Sequence, residues 1–210
     1  MKVLKKEFNG INHISLLIKL FDDVLIVSNS VDDKYLKDID IKKEKVLAEI
    51  IGPYVLESEE FIILSKNAPD SLIKVLSKYF DVKLIETKIN LLGNIFEIGK
   101  NGIIYSYAKK EDVEKLINLL GLPAYKIKSQ YLIGSLLKKY NNSILISQVI
   151  SDKLLEKIKE ILSPKKLDIG SVNFGSPYLK YGIEINKDYL IVGNLTTGHE
   201  LIKIEEFFRG

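Results

Sequence analysis

Residues 89–105 read INLLGNIFEIGKNGIIY: an apolar approach to Gly93, an alternating segment, the polar turn Gly99-Lys100-Asn101-Gly102, and a second β-branched run. Two such runs around a short polar turn signal a hairpin. The pattern recurs four more times. Gly52 in IIGPYVL, Gly134 in LIGSLLKK and Gly182 in KYGIEIN each open an alternating segment, and Ser15 in NHISLLIKL occupies the matching place. Successive steps are 37, 41, 41 and 48 residues, and the step from Gly182 past the end and back to Ser15 is 43, a mean of 42.

Each unit continues alike. The polar turns are Phe21-Asp22-Asp23, Glu57-Ser58-Glu59-Glu60, Gly99-Lys100-Asn101-Gly102, Tyr140-Asn141-Asn142 and Asn186-Lys187-Asp188. The second strands read VLIVS, FIILS, GIIYSY, SILISQ and YLIVG. A helix follows: Leu154, Leu155, Ile158, Ile161 and Leu162 share one face, as do Val113, Leu116, Ile117 and Leu120, the spacing of a half-buried helix. Leu72, Leu76, Tyr79 and Phe80 repeat it in unit two, and Leu201, Ile204 and Phe208 in unit five; Val31–Ile39 is the weakest. A third strand closes a unit in KVLAEI, DVKLIET, AYKIKS and KLDIGSV. Unit five has none before Gly210, while KVLKKEF at the start belongs to no unit, so the first strand is expected to complete the fifth unit. The expected fold is α+β: a closed ring of five ββαβ repeats with pseudo-fivefold symmetry. Closure would remove the free edge of an open array. The helices speak against a propeller, whose blades have four strands. No linker or low-complexity stretch divides the chain, so one domain is expected over 1–210, with repeats near 8–49, 50–87, 88–129, 130–172, and 173–210 joined by 1–7.

Composition narrows the function. The chain has 31 Lys+Arg against 28 Asp+Glu, a formal +3, with 46% apolar and 28% charged residues. That balance describes an ordinary globular chain, and the small net charge does not describe a dedicated nucleic-acid binder. Arg209 is the single arginine, so the guanidinium that reads base edges is nearly missing, although lysine can still touch a phosphate backbone. With no Cys, disulfides, thiolate nucleophiles and Cys-ligated metals are excluded, and two histidines leave little for a metal cage. MKVLKKEF lacks the apolar region of a signal peptide, and no apolar run is long enough to span a membrane. The expectation is a cytoplasmic protein with no cofactor and no metal.

Five ββαβ units in a ring is the pentein arrangement, and the later units resemble one branch of it, the archaeal and eukaryotic translation initiation factor 6 family. Residues 89–105 are similar to that family's leucine-glycine-asparagine segment and hairpin. DIGSVNFGSPYLKYGIEINKDYLIVG, residues 168–193, is similar to its fifth-unit entry, and LTTGHELIKIEEF, residues 195–207, to its Thr-Thr-Gly segment and acidic helix. The similarity covers roughly residues 46–208. Ser15, the acidic turn Glu57–Glu60, Leu195 and His199 depart from the family's pattern. The resemblance implies a factor that binds the large (50S) ribosomal subunit, and a monomer is expected; the near-neutral charge suits a docking site made mostly of ribosomal protein, with some lysine contacts to rRNA backbone. The implied factor prevents joining of the small (30S) subunit and has a role in large-subunit maturation. The resemblance implies no membrane and no small-molecule substrate. The candidate contact residues are Gly93, Asn94, Asn173, Thr196 and Thr197.

Pentein enzymes that modify guanidino compounds are the alternative. They use a Cys nucleophile, which this chain lacks, and fold alone does not fix function. A serine-based site would have to recruit His13 or His199. The pairs Asp22-Asp23, Asp32-Asp33 and Glu59-Glu60 suit solvated turns and helix starts better than metals, since neighbours in a strand point apart. Thr197-Gly198-His199-Glu200 is a capping box with Thr197 at the N-cap, and it can also contact a partner. Asn94 and Asn173 each allow a backbone-capping role or a ribosome-facing one.

Overall fold

The computed structural model describes residues 1–209; Gly210, the last residue of the fifth unit, lies outside them. Strand β1 (Lys2–Lys6) begins the chain. Unit one holds a 3-10 turn at Ile14–Leu16, β2 (Ile18–Leu20), β3 (Val24–Ser28), a 3-10 helix at Asp33–Leu36 and β4 (Lys42–Val46). Unit two holds a 3-10 turn at Gly52–Tyr54, β5 (Leu56–Glu57), β6 (Ile62–Ser65), α1 (Asp70–Leu76) and β7 (Val82–Ile85). Unit three holds α2 (Leu92–Ile95), β8 (Phe96–Ile98), β9 (Ile103–Tyr105), α3 (Lys110–Leu120) and β10 (Ala124–Lys126). Unit four holds a 3-10 turn at Ile133–Leu136, β11 (Leu137–Tyr140), β12 (Ser143–Ser147), α4 (Asp152–Leu162) and β13 (Lys166–Gly170). Unit five holds α5 (Leu179–Gly182), β14 (Ile183–Ile185), β15 (Tyr189–Gly193) and α6 (Gly198–Arg209).

Every unit builds one three-stranded sheet. Its first two strands form an antiparallel hairpin, and the third lies parallel to the second. In unit five the parallel partner is β1, with Lys2 opposite Tyr189 and Lys6 opposite Gly193. The second strands are almost wholly buried and apolar, so they lie at the centre of each sheet between two partners. Five apolar clusters fill the interior; the fifth takes in Met1, Val3 from β1 and Phe208 from α6.

The one-turn helices explain the glycine spacing. The turn of each unit touches that of the next, from Ile14–Leu16 to Gly52–Tyr54, α2, Ile133–Leu136 and α5, and α5 touches Ile14–Leu16 in turn. A Cβ at Gly52 would stand 2.3 Å from the Ser15 carbonyl oxygen, one at Gly93 equally close to that of Val55, and one at Gly134 to that of Gly93. Only a residue without a Cβ lets backbones approach so closely. Ser15 meets the crowding differently: it is buried and donates its hydroxyl to the Ile183 carbonyl of unit five, 3.1 Å away.

Three local readings need correction. The third strand of unit one is Lys42–Val46, not KVLAEI over 45–50. This outer strand is charged and half exposed, so its hydrogen-bonding to β3 leaves no apolar signature. The crossover of unit one is a single 3-10 helix capped by the Asp32 carboxylate, which accepts from the Lys34 amide, although Val31, Leu36 and Ile39 are buried as an apolar face requires. In unit two the helix stops at Leu76, and Tyr79 and Phe80, beyond its end, pack against the apolar cluster that holds Leu72, Val75 and Leu76.

Candidate docking face

The capping box at the start of α6 does more than end a helix. The Glu200 carboxylate accepts from the Thr197 amide at 2.8 Å and its hydroxyl at 3.0 Å, and the Glu200 amide donates to Thr197 Oγ1. The same carboxylate accepts from Ser171 Oγ at 2.8 Å, the Gly175 amide at 2.8 Å and the Phe174 amide at 3.1 Å. Burial pushes the Glu200 carboxyl up, but these donors outweigh it, led by the Thr197 and Gly175 amides, and hold it below the usual carboxylate range. The acid thus staples the loop 171–176 to the helix. Within that loop Asn173, Phe174 and Gly175 all have positive φ. A bulky residue in that region costs on the order of 1–2 kcal/mol. The staple holds it there, with the Phe174 ring 82% exposed.

Asn173 ties the loop to unit one. Its Nδ2 donates to the Asn12 carbonyl at 2.9 Å, and its Oδ1 accepts from the Thr196 hydroxyl at 3.2 Å. The Leu195 amide donates to Asn12 Oδ1. Thr196 is fully buried, Asn173 nearly so, and Thr197 half buried. Gly93 and Asn94 form a second group inside α2, both buried. Asn94 Oδ1 has no hydrogen-bond partner, and the Gly93 carbonyl accepts from Lys180 Nζ at 2.8 Å. No hydrogen bond joins the two groups among the described residues. The five candidates therefore lie mostly beneath the surface and shape it.

What they shape is apolar. Two residues past the end of the second strand, units three, four and five carry Tyr107, Val149 and Leu195, all exposed, whereas units one and two carry Ser30 and Asn67. Phe174 and Ile11 are exposed in the connections beside them. Hydrogen bonds through uncharged groups join the loops of Val149, Phe174, Leu195 and Ile11: Gln148 donates to the Gly175 carbonyl, Asn173 to the Asn12 carbonyl, and the Leu195 amide to Asn12 Oδ1; the Tyr107 hydroxyl donates separately to the Ser129 carbonyl. This arc was missed in the sequence, where each member is a lone apolar residue in a polar loop; only the repeat register lines them up.

The sequence reading also missed an ionic cluster at the common axis. The first hairpin strand of every unit contributes charge to it: Lys19, Glu57, Glu97 and Glu184 singly, and the pair Lys138 and Lys139 from unit four. Lys19 lies 2.6 Å from Glu57 and 3.7 Å from Glu184; Lys138 lies 3.1 Å from Glu184. Lys180 and Lys139 each approach Glu97 to 3.7 Å. Burial pushes Lys138 down to about 8, with Lys19 adding repulsion. Burial also opposes the charge on Lys19, but Glu184 and Glu57 outweigh it and raise its pKa. The available signal is a charge inside an otherwise apolar short strand.

The two histidines lie in different settings. His13 is half buried with Nδ1 unpartnered, its ring edge-on to Tyr178 and Tyr181, and burial lowers its pKa. His199 is exposed at the start of α6. Among the described residues no group of three or more His, Asp or Glu is placed to hold a metal. No helix there is long and apolar enough to cross a membrane.

Five three-stranded sheets with helical crossovers, one per repeat, define a pentein-like protein, and solved structures agree at the level of fold. A dimethylarginine dimethylaminohydrolase from Pseudomonas aeruginosa complexed with citrulline aligns at TM-score 0.52 and 12% identity, covering 74% of this chain and 67% of that one. The N-terminal domain of a cyanobacterial arginine dihydrolase aligns at TM-score 0.53 and 11% identity, covering 79% and 70%. The sequence is more particular. The eIF-6 family model matches residues 3–207, and the chain belongs to that family. Unit one, beyond the reach of the residue-level resemblance, is included. Translation initiation factor 6 of Sulfolobus acidocaldarius is 26% identical over 95% of both chains. That of Pyrococcus horikoshii is 25% identical over 98% of both.

Proposed function

We propose that the protein is a translation initiation factor that binds the large ribosomal subunit and, while bound, excludes the small subunit. The observation that carries the docking side of this reading is the apolar arc Tyr107, Val149, Phe174, Leu195 and Ile11, held over a rigid buried frame. Contiguous exposed apolar surface marks an interaction site. Membership of the eIF-6 family supports a ribosomal partner. Gly93, Asn94, Asn173, Thr196 and Thr197 form the frame, and the exposed rings and leucine make the contact, chiefly with ribosomal protein. Lysines at the margin reach rRNA backbone. The chain acts as one monomeric domain in the cytoplasm and catalyses nothing. Two partners that need the same surface exclude one another, and the strength of the exclusion is bounded by the factor's own affinity.

Sedimentation through sucrose tests this. The protein should travel with large but not small subunits and lower the yield of joined ribosomes. Phe174→Asp with Leu195→Asp should abolish co-sedimentation while leaving the melting temperature within about 2 °C, as for exposed positions. Binding should weaken only moderately with salt, because few counterions are released. A steep salt slope would mean that RNA carries the interface. Absence of binding at any salt would remove the reading. The guanidino-enzyme alternative predicts turnover of arginine or agmatine, lost on mutating His13 or His199.

A further inference from the structure

We infer that Lys180 is a positioning residue for the docking face: reaching from unit five across the axis, it holds the Gly93–Asn94 segment of unit three through the Gly93 carbonyl. The inference rests on the docking reading above and deepens it.

The reason begins with a short helix. Helix α2 is one turn long, and at Phe96 the backbone turns extended. The Leu92 carbonyl is satisfied by the Phe96 amide, but the Gly93 carbonyl is left without the next intrahelical donor. Lys180 Nζ supplies a donor at 2.8 Å. A cation at the carboxyl end of a helical turn is also electrostatically favoured. The fit is tight: a Cβ on Gly93 would lie 3.2 Å from that nitrogen and 2.3 Å from the Val55 oxygen. The segment is thus clamped between unit two and unit five.

Placing an ammonium there is costly, since burial lowers the Lys180 pKa. Glu97, 3.7 Å away, supports the charged form, and Glu57 adds to it against Lys19 and Lys139. Such groups seldom add net stability, but they select one arrangement. Lys180 sits on α5, directly after the loop whose Asn173 and Phe174 shape the other part of the face. Lys180 therefore ties the Gly93–Asn94 group to the helix that follows that loop.

Lys139 is a built-in control. It approaches the same Glu97 carboxylate but donates to the Ile98 carbonyl and not to Gly93. Amide hydrogen exchange on the free full-length protein should show about tenfold faster exchange at residues 91–96 in Lys180→Met, as expected for loss of one charge-assisted bond, with residues 171–176 unchanged. Lys139→Met should leave 91–96 at the wild-type rate, and Lys180→Arg should restore protection. Large-subunit co-sedimentation should weaken several-fold in Lys180→Met and recover in Lys180→Arg. Equal loosening by Lys139→Met, uniform loosening of all five one-turn helices, or failure of arginine to rescue would overturn the inference. If wild-type protein does not sediment with large subunits, the docking reading falls, while the exchange pattern still decides whether Lys180 positions the segment.

Discussion

The Gly93–Asn94 turn and the Asn173–Thr197 staple both lie in stretches that resemble the family, and the structure treats them differently. Both are buried. In the first, the fixed quantity is a backbone approach: Gly93 faces the Val55 oxygen with no room for a Cβ, and the Asn94 oxygen is left without a partner. In the second, the fixed quantity is a polar network: Asn173 pairs with Thr196 and Thr197 with Glu200, while Glu200 holds the amide of exposed Phe174 and Asn12 that of exposed Leu195. One region is specified by shape and the other by hydrogen-bond arithmetic. Substitutions should therefore hurt them in opposite ways.

The largest effect is expected at the seam that supports the staple. Deleting Met1–Lys6 removes β1 from beside β15 and takes Met1 and Val3 from the fifth cluster. The melting temperature should fall by about 10 °C or more, the scale of several kcal/mol in a chain this size. A fall of a degree or two would mean β1 is an appended arm. Next comes the shape-specified region. Gly93→Ala should cost about 3 kcal/mol or prevent folding, because the clash is with backbone. Gly198→Ala, which meets nothing within 4 Å, should be nearly neutral in the same chemical denaturation series.

Glu200→Gln attacks the network, and its expected cost is roughly 1–3 kcal/mol at neutral pH. The sign of its pH dependence follows from the lowered carboxyl. The ionised acid stabilises the fold above the unfolded pKa, and this contribution is lost as pH falls through the folded one. Urea titrations of wild type and Glu200→Gln should therefore converge below the ordinary carboxylate range. Parallel curves down to acid pH would mean the staple does not depend on charge. The smallest effects separate two asparagines. Asn173→Ala strands the Asn12 carbonyl and should cost roughly 1–2 kcal/mol. Asn94→Ala removes an oxygen that has no partner and should cost about 1 kcal/mol or less. Equal losses would erase the distinction between the two regions.

Much of the scaffold was legible in the chain. The five hairpins, the crossover helices α3 and α4, the pairing of the first strand with the fifth unit and the capping box all stand where periodicity and turn chemistry put them. The illegible parts share a cause. Strand β4 is charged, and its hydrogen bonds to β3 depend on position and not composition. The one-turn helices at Ile14–Leu16, Gly52–Tyr54 and Ile133–Leu136 are too short for a periodicity to register. Of the candidate residues, the sequence marked the frame, and it passed over Phe174 and the axial charges.

Sequence alone determined the period of the repeat, the alternation that buries each second strand, and the exclusion of cysteine chemistry. These are local properties, written in neighbouring residues or in their absence. Tertiary structure decided the rest. Lys19 and Lys180 look like any of thirty lysines until the turn from each unit brings them to one axis with Glu57, Glu97 and Glu184. Tyr107, Val149 and Leu195 are 42 and 46 residues apart in sequence and hold equivalent places only because the units repeat in space. Burial and convergence are properties of residues distant in the chain, and no window of sequence contains both partners.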